Sequence, residues 1–205
     1  MRKIGVFVGV AMLTVFASIV MEDGWGEGKA GRLFLFQKCD ASLIGKEGYD
    51  AFGCPTIGPG PWPVFHENRR MGKMDYSLWG KEFKFSFQGK RLPPKEDYTL
   101  IYYPDPWPGA GLICLGSNQT NRAGNIQIHG RKDIGTSLPA VDDANSKPIS
   151  PSGAVGAKIW LVPSADVQCD NGATMLGWNP AAYLFEYNLI VYERLETDDD
   201  DDDKE

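Results

Sequence analysis

Apolar residues in this chain recur at every second position, and past residue 24 none sustains a helical stripe over ten residues, which leaves few architectures open. In "FKFSFQ", Phe83, Phe85 and Phe87 point one way while Lys84, Ser86 and Gln88 point the other. That is the pattern of an antiparallel strand with one face in a core and one in water. Met74, Tyr76 and Leu78 alternate in the same way just before it, with Gly80 and Lys81 available for a tight turn. The pattern predicts further strands over 33–37, 98–103, 111–115, 125–129, 157–162 and 182–193. Turn chemistry at 92–97, 122–125 and 170–172 separates them. About eight short strands without helical partners predict an all-β fold, a two-sheet antiparallel β-sandwich, Ig-like or related. A small closed β-barrel is the alternative.

The stretch "YTLIYYPDPWPGAGLICLGS" interrupts this rhythm. Pro104, Pro106 and Pro108 remove three backbone donors within five residues, so no interior ladder continues through them and the chain must turn a corner. Trp107 stands in the middle of that corner. It either lids the core or offers an exposed ring, as aromatic residues on loops do at binding surfaces.

Residues 31–195 form one folded domain on this reading, enough chain for one sizeable core. Residues 1–24 have the layout of a signal peptide or signal anchor: Arg2 and Lys3, an uncharged run from 4 to 21, then Glu22 and Asp23. Export predicts two disulfides from the four cysteines, Cys39 with Cys54 and Cys114 with Cys169. The first would staple the irregular loop over 40–70, while the loop over 132–156 has no staple and is expected to be mobile. The formal charge of −6 matches that of the last eight residues of the acidic tail, 196–205. Its last eight residues hold seven acids and one lysine, so without them 20 acids face 20 bases. A neutral body with no basic run has no electrostatic footprint for nucleic acid, and an acidic run without apolar residues predicts a disordered tail.

The motifs "YTLIYYPDPWPGAGLICLGS", "GAKIWLV" and "MLGWNPAAYLFEYNLI" resemble a family of secreted proteins of unassigned activity from methanogenic archaea and some bacteria. The resemblance spans roughly 72–192 and implies a secreted domain with no catalytic residue to carry over.

The chemistry legible in the chain is sparse. His66 lies in a loop, His129 falls on the polar face of its strand, and no G-x-S-x-G occurs, so nucleophilic hydrolysis has no visible machinery. Glu186, an acid on an apolar strand, is the one carboxylate that suggests an extracellular glycoside hydrolase, and its position also suits an outward-facing residue. No cofactor is expected; calcium is the metal to consider, at Asp166, Asp170 and Asn171, with Asp142 and Asp143 as a second acidic turn. Asn118-Gln119-Thr120 is a glycosylation acceptor sequence at a strand end. Trp62, Trp107 and Trp178 each sit beside proline, in "GPWP", "DPWP" and "GWNP", and with Tyr103 they form a candidate ligand platform. The expectation is a secreted or cell-surface structural or binding module without catalytic activity, whose partner is an extracellular polysaccharide or a cell-surface protein. Nothing points to contact with a membrane beyond the N-terminal segment.

Overall fold

The computed structural model describes residues 30–56, 63–65, 69–147, 154–170 and 172–195. The expected leader (1–24) and acidic tail (196–205), together with Trp62, His66 and Asn171, lie outside the described residues.

Twelve strands are present among the described residues: β1 (Ala30–Phe36), β2 (Met71–Ser77), β3 (Trp79–Gly80), β4 (Phe83–Lys90), β5 (Asp97–Tyr103), β6 (Ile113–Gln119), β7 (Ile126–Lys132), β8 (Lys158–Pro163), β9 (Val167–Gln168), β10 (Thr174–Met175), β11 (Phe185–Glu186) and β12 (Glu193–Arg194). Eight of them build two packed antiparallel sheets, one ordered β11-β1-β2-β4-β7 and the other β6-β5-β8. The two small ladders, β9-β10 and β3-β12, lie outside these sheets. The protein is an all-β sandwich. The alternative of a closed barrel does not hold, because no ladder joins β6 to β7 and that side is bridged by side chains. Asn118 Nδ2 donates to the Gln127 carbonyl at 2.8 Å there, and Lys132 Nζ to the Cys114 carbonyl at 2.6 Å.

Alternation decides the sandwich core. Leu33 and Leu35, Met74 and Tyr76, and the three phenylalanines of β4 are buried against Tyr98, Leu100 and Tyr102 of β5 and Ile159 and Leu161 of β8. Their neighbours along each strand of the five-stranded sheet face outward.

The three-stranded sheet is covered on its other face as well. Ile101 and Tyr103 of β5 and Trp160 and Val162 of β8 pack into a second cluster with Val167, Met175, Tyr183 and Phe185. Cys39–Cys54 staples the loop after β1 inside the second cluster, and Cys114–Cys169 pins the segment after β9 to β6; the pairs are those the sequence predicts. They close loops of 15 and 55 residues. On chain entropy these are worth about 3 and about 4 kcal/mol. β5 is thus buried on both faces, the reason "YTLIYY" is a continuous apolar run rather than an alternating one.

One expectation needs correction. The segment 182–193 is not one strand: it opens with a 3-10 turn, Pro180–Ala182, and then makes short contacts with successive partners. Leu184 bridges Leu161, β11 pairs β1, Ile190 bridges Ala157 and Tyr192 bridges Leu138, so it crosses from sheet to sheet. Along its described residues the 132–156 loop makes specific contacts. Asp143 and Asn145 are buried in hydrogen bonds to the corner after β5, and Leu138 is tied to Tyr192.

Candidate functional site

The corner between β5 and β6 is where aromatic and polar groups converge. The peptide bonds before Pro106 and Pro108 are cis, and the chain closes with Gly109 N–H on the Pro106 carbonyl and Leu112 N–H on the Gly109 carbonyl, both 2.9 Å. Gly109 has φ +82°, and a Cβ there would lie 2.8 Å from the Tyr103 ring. Only glycine lets the corner fold down onto that ring.

Trp107, two residues before Gly109, is 49% exposed. Trp178, delivered by the segment after β10, meets it edge-to-face at 5.4 Å. Trp178 is half-buried and rests in turn on Trp160, Tyr183 and Phe185, at 6.1, 5.6 and 6.3 Å. The result is one exposed indole backed by a stack of fixed rings, a geometry suited to holding a flat apolar face.

The expected platform is brought together in part. Trp107 and Trp178 touch, while Trp62 lies outside the described residues. Tyr103 is no surface residue: it is buried beneath Gly109 and stacks on Trp160 at 3.9 Å and 11°. Its odd position in β5 points it at the covering layer, which the sequence did not reveal.

A polar network underlies the same corner. Tyr102 donates its hydroxyl proton to Asp143 Oδ2 at 2.7 Å and accepts from Ala140 N–H at 3.0 Å. Asp143 Oδ1 accepts from Asp105 N–H at 3.2 Å and Asn145 N–H at 2.8 Å. Asn145 Nδ2 spans both acids, at 2.8 Å from Asp105 Oδ2 and 3.2 Å from Asp143 Oδ1, and Lys158 Nζ is paired with Asp105 Oδ2. Burial, with Asp143 beside it, holds the Tyr102 hydroxyl well above the usual tyrosine range; burial and then Asp105 and Asp143 raise Tyr103 too. Asp143 is therefore engaged in holding the loop.

On the far side of Trp160 lies a group of residues that sequence reasoning misjudged. Glu186 does not face outward. Its Oε1 pairs with Lys38 Nζ at 3.2 Å and its Oε2 accepts from Trp160 Nε1 at 2.5 Å, with the two charged side chains only 9% and 12% exposed. Lys38 also lies 5.9 Å over the Phe185 ring. An acid in an apolar stretch was the available signal, but its partner is 148 residues away.

The remaining candidates are dispersed. Asp166 accepts from the Tyr183 hydroxyl at 2.9 Å, Asp170 is exposed, and no group of three or more His, Cys, Asp or Glu that could hold a metal occurs among the described residues. Asn118 is exposed, but it lies within β6 rather than past its end. Thr120 of the same acceptor sequence is buried, its hydroxyl donating to the Pro93 carbonyl at 2.6 Å. His129 stands on the outer face of β7 opposite Ser86, which pairs in turn with Asp75. Asp75 is held by Arg32 and Lys73, not by the imidazole.

No family model, no curated protein and no solved structure matches this chain, so the resemblance to secreted archaeal and bacterial proteins rests on the quoted motifs. The two disulfides indicate an oxidising, extracytoplasmic environment. Among the described residues no helix is long and apolar enough to cross a membrane.

Proposed function

We propose that the protein is a non-catalytic binding module, secreted or held at the cell surface, whose Trp107 corner stacks on the sugar rings of an extracellular polysaccharide. The observation that carries this reading is the half-exposed Trp107 ring, set among prolines and braced edge-on by Trp178. A ring held rigid before contact loses little entropy on binding, and the apolar faces of pyranose rings stack on indoles. A purely structural role at the cell surface is the second reading. It is favoured by the depth at which Tyr103, Trp160, Tyr183 and Phe185 are buried, which makes the rings a core first and a surface second.

Trp107→Ala separates the two. The ring is about half buried, so truncation should cost about 1–2 kcal/mol, well below the 3–5 of a fully buried tryptophan. Binding is measured by retention on insoluble cellulose and chitin and by affinity electrophoresis in dextran. Retention of the native protein that is lost in Trp107→Ala supports the binding reading. If the native protein is retained no better than the variant on all three, the structural reading replaces it.

A further inference from the structure

We propose that Lys158 and Asp105 become joined by an amide bond between their side chains, a cross-link formed by the folded protein itself that fixes the Trp107 corner to β8. Three observations place the reactants. Lys158 Nζ contacts Asp105 Oδ2, so the carboxyl carbon is one bond further on. Both side chains are 18% exposed, with the loop that carries Asp143 and Asn145 hydrogen-bonded to Asp105. Asn145, fully buried, donates to the Asp105 oxygen that faces the amine, where negative charge would gather as a tetrahedral intermediate forms.

Asp143 holds the donor in place: it is buried, fixed by the Tyr102 hydroxyl, and it shares the Asn145 side-chain nitrogen with Asp105. In the step, the Asp105 carboxylate takes one proton from the Lys158 ammonium that it touches, and the freed lone pair bonds to Asp105 Cγ. The intermediate then loses one carboxyl oxygen as water. That water carries the transferred proton and a second proton from the nitrogen, and the oxygen that remains becomes the amide carbonyl. The ammonium and carboxylate charges cancel, one water leaves, and no oxidant or co-reactant is needed. A nucleophile and a carboxyl held in contact with little water between them react as one molecule rather than two, the condition under which effective molarities become very large. The bond would tie residues 53 apart in sequence, across the strand pair β5-β8.

The test is the mass of the full chain, denatured and with its disulfides reduced. The expected result is a mass lower by one water than the sequence of the same chain requires. After trypsin, a branched peptide should join the Asp105 segment to a segment left uncut at Lys158. Lys158→Arg, which keeps the charge but not the amine, should restore the full mass, and Asn145→Ala, which removes the donor to the Asp105 carboxylate, should leave most of the chain unlinked. Because mass is read on denatured protein, a variant that folds poorly does not obscure the native result. Native protein at full mass with the two peptides recovered separately overturns the proposal, as does a water loss that persists in Lys158→Arg. Undiminished cross-linking in Asn145→Ala overturns the role given to Asn145.

Discussion

Replacing Lys38 by methionine leaves the Glu186 carboxylate in the interior with the Trp160 indole N–H as its remaining donor among the described residues. Methionine matches the lysine stem in length, so packing over Phe185 is largely kept and the change is electrostatic. At 9% and 12% side-chain exposure the pair counts as buried, and removing one partner of such a pair costs about 3–5 kcal/mol. The double variant, Lys38→Met with Glu186→Gln, removes both charges while keeping an oxygen for the indole. It should lie within about 1–2 kcal/mol of the native protein, since two well-packed neutral groups avoid the desolvation of two ions. Urea unfolding at neutral pH, followed by tryptophan fluorescence, reads both. With a urea slope near 2 kcal/mol/M, Lys38→Met should lower the midpoint by roughly 2 M and the double variant by less than about 1 M. If Lys38→Met moves the midpoint by under about 0.5 M, or the double variant is worse than Lys38→Met alone, the pair is solvated and this account of Glu186 is wrong.

Replacing Cys114 and Cys169 together by alanine should cost about 4 kcal/mol, the chain entropy of a 55-residue loop, and equilibrium denaturation of the oxidised variant checks it. Gly53→Ala should cost about 3 kcal/mol or more and hinder closure of the Cys39–Cys54 bond, seen as free thiol on titration. The residue has φ +73°, and its Cβ would fall 2.0 Å from the Asp40 carbonyl oxygen. Asp40 gives an acid-side dependence. Burial pushes its carboxyl up, but the Ser42 amide and hydroxyl and the Arg69 guanidinium outweigh burial and hold it below its usual value of 3.8. A depressed folded value means its contribution is present above that value and lost as pH falls through the folded one. Asp40→Asn should therefore flatten the acid limb of melting temperature against pH. Tyr102 and Tyr183 act at the opposite end, because burial first and then their aspartate partners raise both hydroxyls. Their contribution is present below the usual value of 10.0 and lost as pH rises toward the folded one. Ultraviolet titration should show these tyrosines ionising only together with alkaline unfolding.

Local rules were enough for much of this molecule. The period of two in "FKFSFQ" settled which side of β4 faces the core, because successive Cβ atoms in a strand must point to opposite faces. Three prolines around Trp107 settled that β5 stops where it does, since each removes a donor the ladder needs. An expected export signal together with four cysteines pointed to two disulfides, and of the three possible pairings the favoured one, a loop staple and a strand-to-loop link, is the one present. What alternation could not say is whether the face turned away from the sandwich core meets water. On the five-stranded sheet it does in large part, whereas on the three-stranded sheet a covering layer from distant segments buries it. That difference made Tyr103 a buried support rather than a platform and turned Glu186 inward to Lys38 and Trp160. It also gave the described part of the 132–156 loop its contacts through Asp143 and Asn145, residues that look like ordinary turn chemistry when only their neighbours in sequence are seen. Each of these outcomes depends on partners 26 to 148 residues away, and burial at such separations is decided only when the whole chain closes around the site.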